Sequence, residues 1–262
     1  MSAPDVPTAC VLLIGDELLT GKVRDENGHF IAKLLRRRGI RLLEICTVGD
    51  QPDDIGAALV RLCARAPILF TSGGVGPTHD DRTLEAIARV TRRPLTRNAE
   101  MEAQLRHYYG ERINDAALRM ADLPRGTLLR AMPGWPVLRL GLDAARIYIL
   151  PGVPSLLRAK LEHLEAIDGE LPISAGWHLA TLHTSLDESK LAPYLDAVVA
   201  EFEGIDIGSY PRWSRTDDGR VRVHVRVTFE GPSPQAARVE AARERLREAL
   251  PAAQVLEHEP PV

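Results

Sequence analysis

Three glycines and two adjacent carboxylates fall within one short stretch, Gly73-Gly74-Val75-Gly76-Pro77-Thr78-His79-Asp80-Asp81. Glycine has no Cβ and tolerates positive φ, so backbone N–H groups in such a stretch can crowd around an anion. Leu84, Ile87 and Ala88 follow at helical spacing, and a helix beginning there adds unsatisfied N–H groups and the positive end of its dipole. That pattern reads as a phosphate cradle. Carboxylates beside a phosphate repel it unless a cation or a proton lies between them. Asp80 and Asp81 therefore point to phosphate plus a divalent metal, or to phosphate plus an acid/base carboxylate. A blander reading also fits: Asp80, Asp81 and Thr83 are residue types that cap helices.

The elements that must position these groups are legible upstream. Ala9 to Ile14 and Ile68 to Phe70 are apolar runs of the kind found in strands buried on both faces, and Ile40 to Val48 reads as a further strand between them. They end at Gly15-Asp16-Glu17, at Gly49-Asp50, and at Ser72 and the glycine stretch. Between them lie two helical patterns. One opens at Asn27, carries Phe30, Ile31, Leu34 and Leu35, and is closed by Gly39; the other opens at Pro52 with Ile55, Leu59 and Leu62. Three βα units predict an α/β fold, a mostly parallel sheet in three layers. Ligands of open α/β sheets bind at the carboxyl ends of the strands, so Asp16, Glu17, Asp50 and residues 72–81 are expected on one edge. Gly15 to Lys22 is not a phosphate-binding P-loop: five residues rather than four separate Gly15 from Gly21, and Val23 replaces the required Ser or Thr.

Two short helical segments are expected between Asn98 and Asp122, with His107, Tyr108 and Tyr109 divided between core and surface rather than forming a stacking platform. Leu128 to Met132 and Val137 to Leu140 read as short strands on an antiparallel edge, where proline is tolerated. Arg146 to Leu150 is a further buried strand, followed by the rigid Pro151-Gly152-Val153-Pro154 and a helix over Ser155 to Leu164. Ile167 to Gly176 reads as a linker, placing a phosphate-binding domain at 1–170 and a small α+β domain at 171–262. The latter follows the ferredoxin-like order βαββαβ. Its strand from Arg220 to Phe229 puts Val221, Val223, Val225, Val227 and Phe229 on one face, and Arg220, Arg222, His224, Arg226 and Thr228 on a solvated face.

Composition narrows the function classes. The 262 residues carry a net charge of -3, so nothing steers the chain toward nucleic acid or an anionic membrane. The run Arg36-Arg37-Arg38 precedes a helix-ending glycine and complements the helix dipole. Three widely spaced cysteines, Cys10, Cys46 and Cys63, argue against a disulfide framework or zinc site and read as buried thiols. With no signal-peptide pattern and no apolar run of membrane-spanning length, the expected compartment is the cytoplasm.

The stretch TSGGVGPTHDDRT, residues 71–83, resembles the signature of the molybdopterin-binding (MoaB/Mog-like) family of molybdenum-cofactor biosynthesis proteins. More closely it resembles the GPTxDDxT form of the CinA amino-terminal domain and of the molybdopterin-binding-like domain of FAD synthases. GDELLTG at 15–21, TVGD at 47–50, LPGVP at 150–154 and, more weakly, IGSYPRW at 207–213 extend the match. Two local departures stand out: Glu26 before Asn27, where a small hydroxyl residue is usual, and Val75 between the glycines.

The resemblance implies divalent-metal-dependent hydrolysis of ADP-ribose or FAD with release of AMP, the metal being Mg, Mn or Co. Adenylylation or binding of molybdopterin, or a non-catalytic pterin- or nucleotide-binding role, is the alternative. It implies a catalytic set of Asp50, Asp80 and Asp81, with Asp50 and Asp81 holding the metal. The implied ligand-binding set is Gly15, Asp16, Glu17, Asn27, Ser72, Gly73, Gly74, Gly76, Thr78, Thr83, Pro151, Gly152 and Pro154. The expected partner is a small nucleotide or pterin, and relatives' self-association implies a homo-oligomer.

Overall fold

The structure, a computed structural model, describes residues 6–130, 136–215, 219 and 221–258. The chain divides into two compact units, 1–174 and 175–262. In the first, β1 (Thr8–Ile14) leads through a four-residue helix α1 (Asp16–Leu19) to α2 (Asn27–Arg37). Next come β2 (Arg41–Val48), α3 (Pro52–Arg65), β3 (Ile68–Ser72) and α4 (Thr83–Thr91). A second stretch adds β4 (Leu95–Arg97), α5 (Ala99–Tyr109), α6 (Asp115–Arg119), β5 (Asp122–Pro124) and β6 (Leu128–Arg130). Finally β7 (Val137–Leu142), β8 (Ala145–Leu150) and α7 (Pro154–Ala166) complete the unit.

The main sheet runs β2-β1-β3-β8-β7-β6. β2, β1, β3 and β8 are parallel neighbours, whereas β7 and β6 form an antiparallel edge. The apolar runs bury both faces of the sheet because alternate residues point to opposite sides. Cys10, Leu12 and Ile14 of β1 pack with Ile55, Leu59 and Leu62 of α3 and Ile87 of α4. On the other face, Ala9, Val11 and Leu13 pack with Ile31, Leu34 and Leu35 of α2 and Leu157, Leu161 and Leu164 of α7. Phe70 and Tyr148 stack there with ring centroids 5.2 Å apart.

Because β2 and β3 lie on opposite sides of β1, the strand order reverses at β1, and the loops after β1 and β3 diverge to leave a crevice. The sequence did not signal the separate antiparallel ribbon of β4 and β5; three-residue strands carry no periodicity to read. Asn98 and Asn114 cap α5 and α6, accepting from Met101 N–H and Ala117 N–H. Met132, the expected end of one edge strand, and Arg220, the expected start of another strand, lie outside the described residues.

The arginine run does more than complement a dipole. Arg37 pairs with Glu165 at 2.7 Å, and Arg38 donates to the carbonyl of Leu171 at 3.0 Å, tying the segment after α7 to the end of α2. Glu170 in that segment is 2% exposed and is met by Arg130 and Arg139 at 2.6 and 2.7 Å. All three cysteines are free thiols, but only Cys10 is buried; Cys46, on the edge strand β2, and Cys63, on α3, are partly accessible.

The second unit comprises β9 (Trp177–Thr184), α8 (Glu188–Glu201), β10 (Asp206–Arg215), β11 (Val221–Pro232), α9 (Ala236–Ala249) and β12 (Val255–Leu256). Its sheet order, β10-β11-β9-β12, is that of a ferredoxin-like fold. Val225, Val227 and Phe229 are fully buried against the core side chains of α8 and α9. On the opposite face, His224 is 7% exposed and stacks with His183, and Arg226 lies over the Tyr210 ring. That face is therefore covered in part by its own side chains.

Candidate functional site

The carboxyl ends of four parallel strands surround one cavity of about 720 Å³, a size that accommodates a nucleotide or similar ligand. Gly15 and Glu17 come from the end of β1, Asp50 from β2, Gly73, Gly74, Gly76, Asp80 and Asp81 from the loop after β3, and Pro151 and Gly152 from β8. Asp16 lies in an adjoining depression that shares Glu17, Asp50 and Asp80 with the cavity and adds Lys22, His79 and Arg82.

The loop after β3 is shaped by glycine. Gly73 has φ 108°, and a Cβ there would collide with the carbonyl oxygen of Ile14. Its N–H donates to the Leu150 carbonyl at 3.2 Å, so Gly73 joins the β1, β3 and β8 loops instead of presenting its own amide. Gly74, at φ 64°, leaves room for the hydroxyl of Thr83.

Thr83 is fully buried; its Oγ1 donates to Gly73 O at 2.8 Å and its N–H to Gly74 O at 3.0 Å. It is the first residue of α4, and no side chain caps that helix. The capping explanation for Asp80 and Asp81 therefore gives way to one in which they serve the loop and cavity.

A further set lies behind the cavity wall. Asn27 Nδ2 donates to Ser72 Oγ at 2.9 Å and to Gly152 O at 2.7 Å; Ser72 Oγ donates onward to Pro151 O at 3.3 Å. These bonds join the start of α2 to the β3 and β8 loops. Asn27 Oδ1 is buried with no hydrogen-bond partner, an unmet acceptor at the join. Asn27, Ser72 and Thr83 thus position the wall, Thr78 braces its carboxylates, and Pro154 supplies the first turn of α7. The amides that begin α2 are met by Asp25, whose Oδ1 accepts from the N–H groups of Asn27 and Gly28. Glu26 instead pairs with Arg158 at 2.6 Å, so the departure before Asn27 substitutes an inter-helix ion pair for a cap.

The carboxylates are tightly organised. Asp16 N–H donates to Asp50 Oδ2 at 3.1 Å and Asp50 N–H returns a bond to Asp16 Oδ1 at 3.3 Å, clasping the β1 and β2 loops. Burial, aided by the negative charges of Asp16, Glu17 and Asp80, pushes the Asp50 carboxyl above its usual range. Asp80 moves the other way, because the Thr78 hydroxyl bonds its charged form.

Thr78 also donates its N–H to Asp81 Oδ2 at 2.8 Å, and its Oγ1 lies 2.6 Å from that oxygen while also contacting Asp80 Oδ1. A hydroxyl has one hydrogen. It can donate to one carboxylate at a time, so it serves Asp80 and Asp81 in turn. Among the described residues no three His, Cys, Asp or Glu side chains gather closely enough to hold a metal alone. The arrangement still suits a hard divalent ion of the Mg²⁺ type, which binds through one or two carboxylates and completes its shell with water and substrate phosphate.

Sequence reasoning missed the apolar half of the cavity. Tyr108, Tyr109, Met120, Val153, Leu156 and Lys160 all line it. Tyr108 and Tyr109 meet edge to face, with centroids 5.0 Å apart. Adjacent helix residues do not share a face, but both tyrosines fall near the end of α5, where the two directions straddle the cavity mouth. Nothing in the sequence brings these rings to the glycine loop, which lies more than thirty residues upstream.

Comparison with known proteins agrees with this architecture. Residues 10–167 match the family described as a probable molybdopterin binding domain, and residues 176–259 match the middle domain of FAD synthase. A protein of Pyrococcus abyssi is 36% identical over 217 residues, covering 77% of this chain and 84% of the relative. A probable FAD synthase of Caenorhabditis elegans is 30% identical over 236 residues, covering 79% of this chain and 44% of that protein. The crystal structure of CinA from Thermoplasma acidophilum, a protein of unknown function, superimposes with a TM-score of 0.58 at 28% identity, covering 62% of this chain and 98% of that one. No described helix is long and apolar enough to cross a membrane. The chain therefore belongs to the molybdopterin-binding domain family, in its CinA-like form, joined to a unit of the FAD synthase middle-domain type.

Proposed function

We propose that the protein is a divalent-metal-dependent nucleotide pyrophosphatase, cleaving the phosphoanhydride of an ADP-ribose- or FAD-like molecule to release AMP. The observation that carries this reading is the Thr78 hydroxyl set between Asp80 and Asp81, in a glycine-walled cavity that Asp50 and Glu17 also border. A passive phosphate site is better without four acids around it; a site that handles phosphate through a cation needs them.

When bound, by Asp50 and Asp81, the metal supplies charge neutralisation at the phosphoryl oxygens and acidifies a water molecule. The chain's own groups do the rest. Amides of the Gly74–Gly76 stretch bind phosphate oxygens and stabilise charge that grows during transfer. Thr78 holds Asp80 and Asp81 in place. Asp16 fixes Asp50 through its backbone N–H, and Glu17 takes the proton of the attacking water. The P–O bond of the anhydride breaks as the new P–O bond forms, giving two monophosphates.

A second reading, adenylylation of molybdopterin, is supported by the family match and by the aromatic cavity wall, which offers a planar ring a place to lie. The two readings separate in one assay. Purified protein is incubated with ADP-ribose, FAD or NADH and with Mg, Mn or Co, and AMP release is followed beside Asp81→Asn. Release by wild type alone supports hydrolysis. Absence of AMP with every pair, together with saturable pterin binding, overturns it in favour of the second reading.

A further inference from the structure

The carboxyl ends of the strands hold two hollows, and the two differ in chemistry. The larger, of about 720 Å³, has an apolar flank: Tyr108, Val153 and Leu156 border it while remaining 66, 53 and 52% exposed. Large apolar side chains left open at a cavity rim gain when a flat ring covers them. The adjoining depression, of about 410 Å³, is bordered by no apolar side chain; beyond its carboxylates it offers Lys22, Gln51, His79 and Arg82. A ring gains little there, whereas hydroxyls and phosphate oxygens find donors.

Glu17, Asp50 and Asp80 border both hollows and form the wall they share. That wall is braced. The backbone N–H groups of Asp16 and Asp50 each bond to the other's carboxylate, and the Thr78 hydroxyl reaches Asp80. On the far side of the depression, Arg82 is engaged by Glu85 and His79 lies 3.9 Å from Asp80. Lys22 is exposed and, among the described residues, pairs with none of the carboxylates that border the depression with it. A cation and several anions that line one hollow without touching leave a gap between them. A phosphate accompanied by a divalent cation suits such a gap, the cation meeting the acids and the phosphate oxygens meeting the basic side chains.

We propose that the depression is a second half-site, which takes the polar arm of a diphosphate whose ring-bearing arm lies against Tyr108, Val153 and Leu156, with Lys22 the residue that selects for phosphate there. The ligand class is a diphosphate with two unlike ester arms, one ending in a planar ring and the other in a sugar or polyol. Its two phosphates straddle the shared wall. This inference rests on the phosphate-site reading above and adds a division of the ligand between two compartments.

The test offers the two halves separately, as AMP and ribose 5-phosphate, to wild type, Lys22→Glu and Tyr108→Ala with magnesium present. Binding is followed by ligand-observed NMR, and ribose 5-phosphate is titrated with AMP already saturating, so that the glycine loop is filled. Both substitutions alter exposed side chains, and circular dichroism checks that the variants remain folded. Wild type is expected to hold both molecules at once. Lys22→Glu should weaken ribose 5-phosphate by about tenfold or more, the loss expected when a charged hydrogen bond gives way to like charge, with little effect on AMP; Tyr108→Ala should do the reverse. Displacement of ribose 5-phosphate by AMP, no binding of ribose 5-phosphate to wild type, or a Lys22→Glu variant that weakens neither ligand or both alike would overturn the second half-site and leave the phosphate site standing. Failure of wild type to bind AMP would remove the phosphate site and this inference together.

Discussion

The back and the front of the glycine loop are built on opposite terms. Behind it, Asn27, Ser72 and Thr83 are at most 7% exposed and bond chiefly to backbone carbonyls and to each other. In front, Thr78 and Asp80 are exposed and bond mainly among side chains. The back fixes where the strand ends meet; the front places charge where a phosphate would lie. Burial is what separates the two roles, since a polar group shut away from water must have a partner, whereas an exposed carboxylate can wait for a ligand. Substitutions in front should therefore cost turnover, and those behind should cost stability.

The largest expected effect is in front. Asp81→Asn can still accept from the Thr78 N–H, so the fold should hold while kcat for AMP release falls by about 100- to 1,000-fold. Steady-state kinetics beside a urea titration checks both halves, and a loss of stability matching the loss of rate would erase the distinction.

Next comes Gly73→Ala, at the root of the loop where it meets β1 and β8. It combines a positive φ with a collision against the Ile14 carbonyl, and should destabilise by about 2–3 kcal/mol, read as a lowered urea midpoint with unchanged slope. Thr83→Val follows. It keeps the shape but strips a buried hydroxyl from Gly73 O, and a cost of about 1–2 kcal/mol is expected. A rise in KM larger than any fall in kcat would mark it as a positioning residue.

The smallest effect sharpens the comparison through pH. The Asp50 carboxyl is raised by burial and neighbouring acids, so its folded form binds a proton more readily than its unfolded form. Its favourable contribution is present below the unfolded Asp range and is lost as pH rises through the raised value. Asp50→Asn should thus be more stable than wild type at pH 7, with the gap closing as the solution is acidified, and should be less active. Asp80 is held below its usual range, and its contribution is present at neutral pH and lost only in stronger acid. A gap in Asp50→Asn that widens on acidification would contradict the assigned cause.

How far the sequence reached follows from the kind of signal each element carries. Strands buried on both faces advertise themselves as apolar runs, and β1, β3 and β8 were readable within one or two residues; the edge strand β2, which carries Arg41 and Glu44, was bounded as closely by Gly39 and Gly49. Helices announced by Pro52, Pro154 and Gly39 were equally plain. The carboxyl-end rule then brought Glu17, Asp50, Gly73 and Asp81 to one edge without coordinates. Partners distant in sequence were another matter. Nothing near Asn27 says that it will meet Ser72 and Gly152, separated from it by 45 and 125 residues. Nor does α5 say that two neighbouring tyrosines will face the cavity.

By itself, then, the sequence determined the parallel sheet, the βαββαβ order that follows it, the glycine loop and the carboxylates around it, because each is written in local periodicity or in residue type. Tertiary structure alone decided which of those residues face the cavity and which stand behind it. It alone set Thr78 between two carboxylates and carried Lys160 of α7 to the cavity wall. Those outcomes depend on how loops from separate strands converge, and no local pattern encodes that convergence.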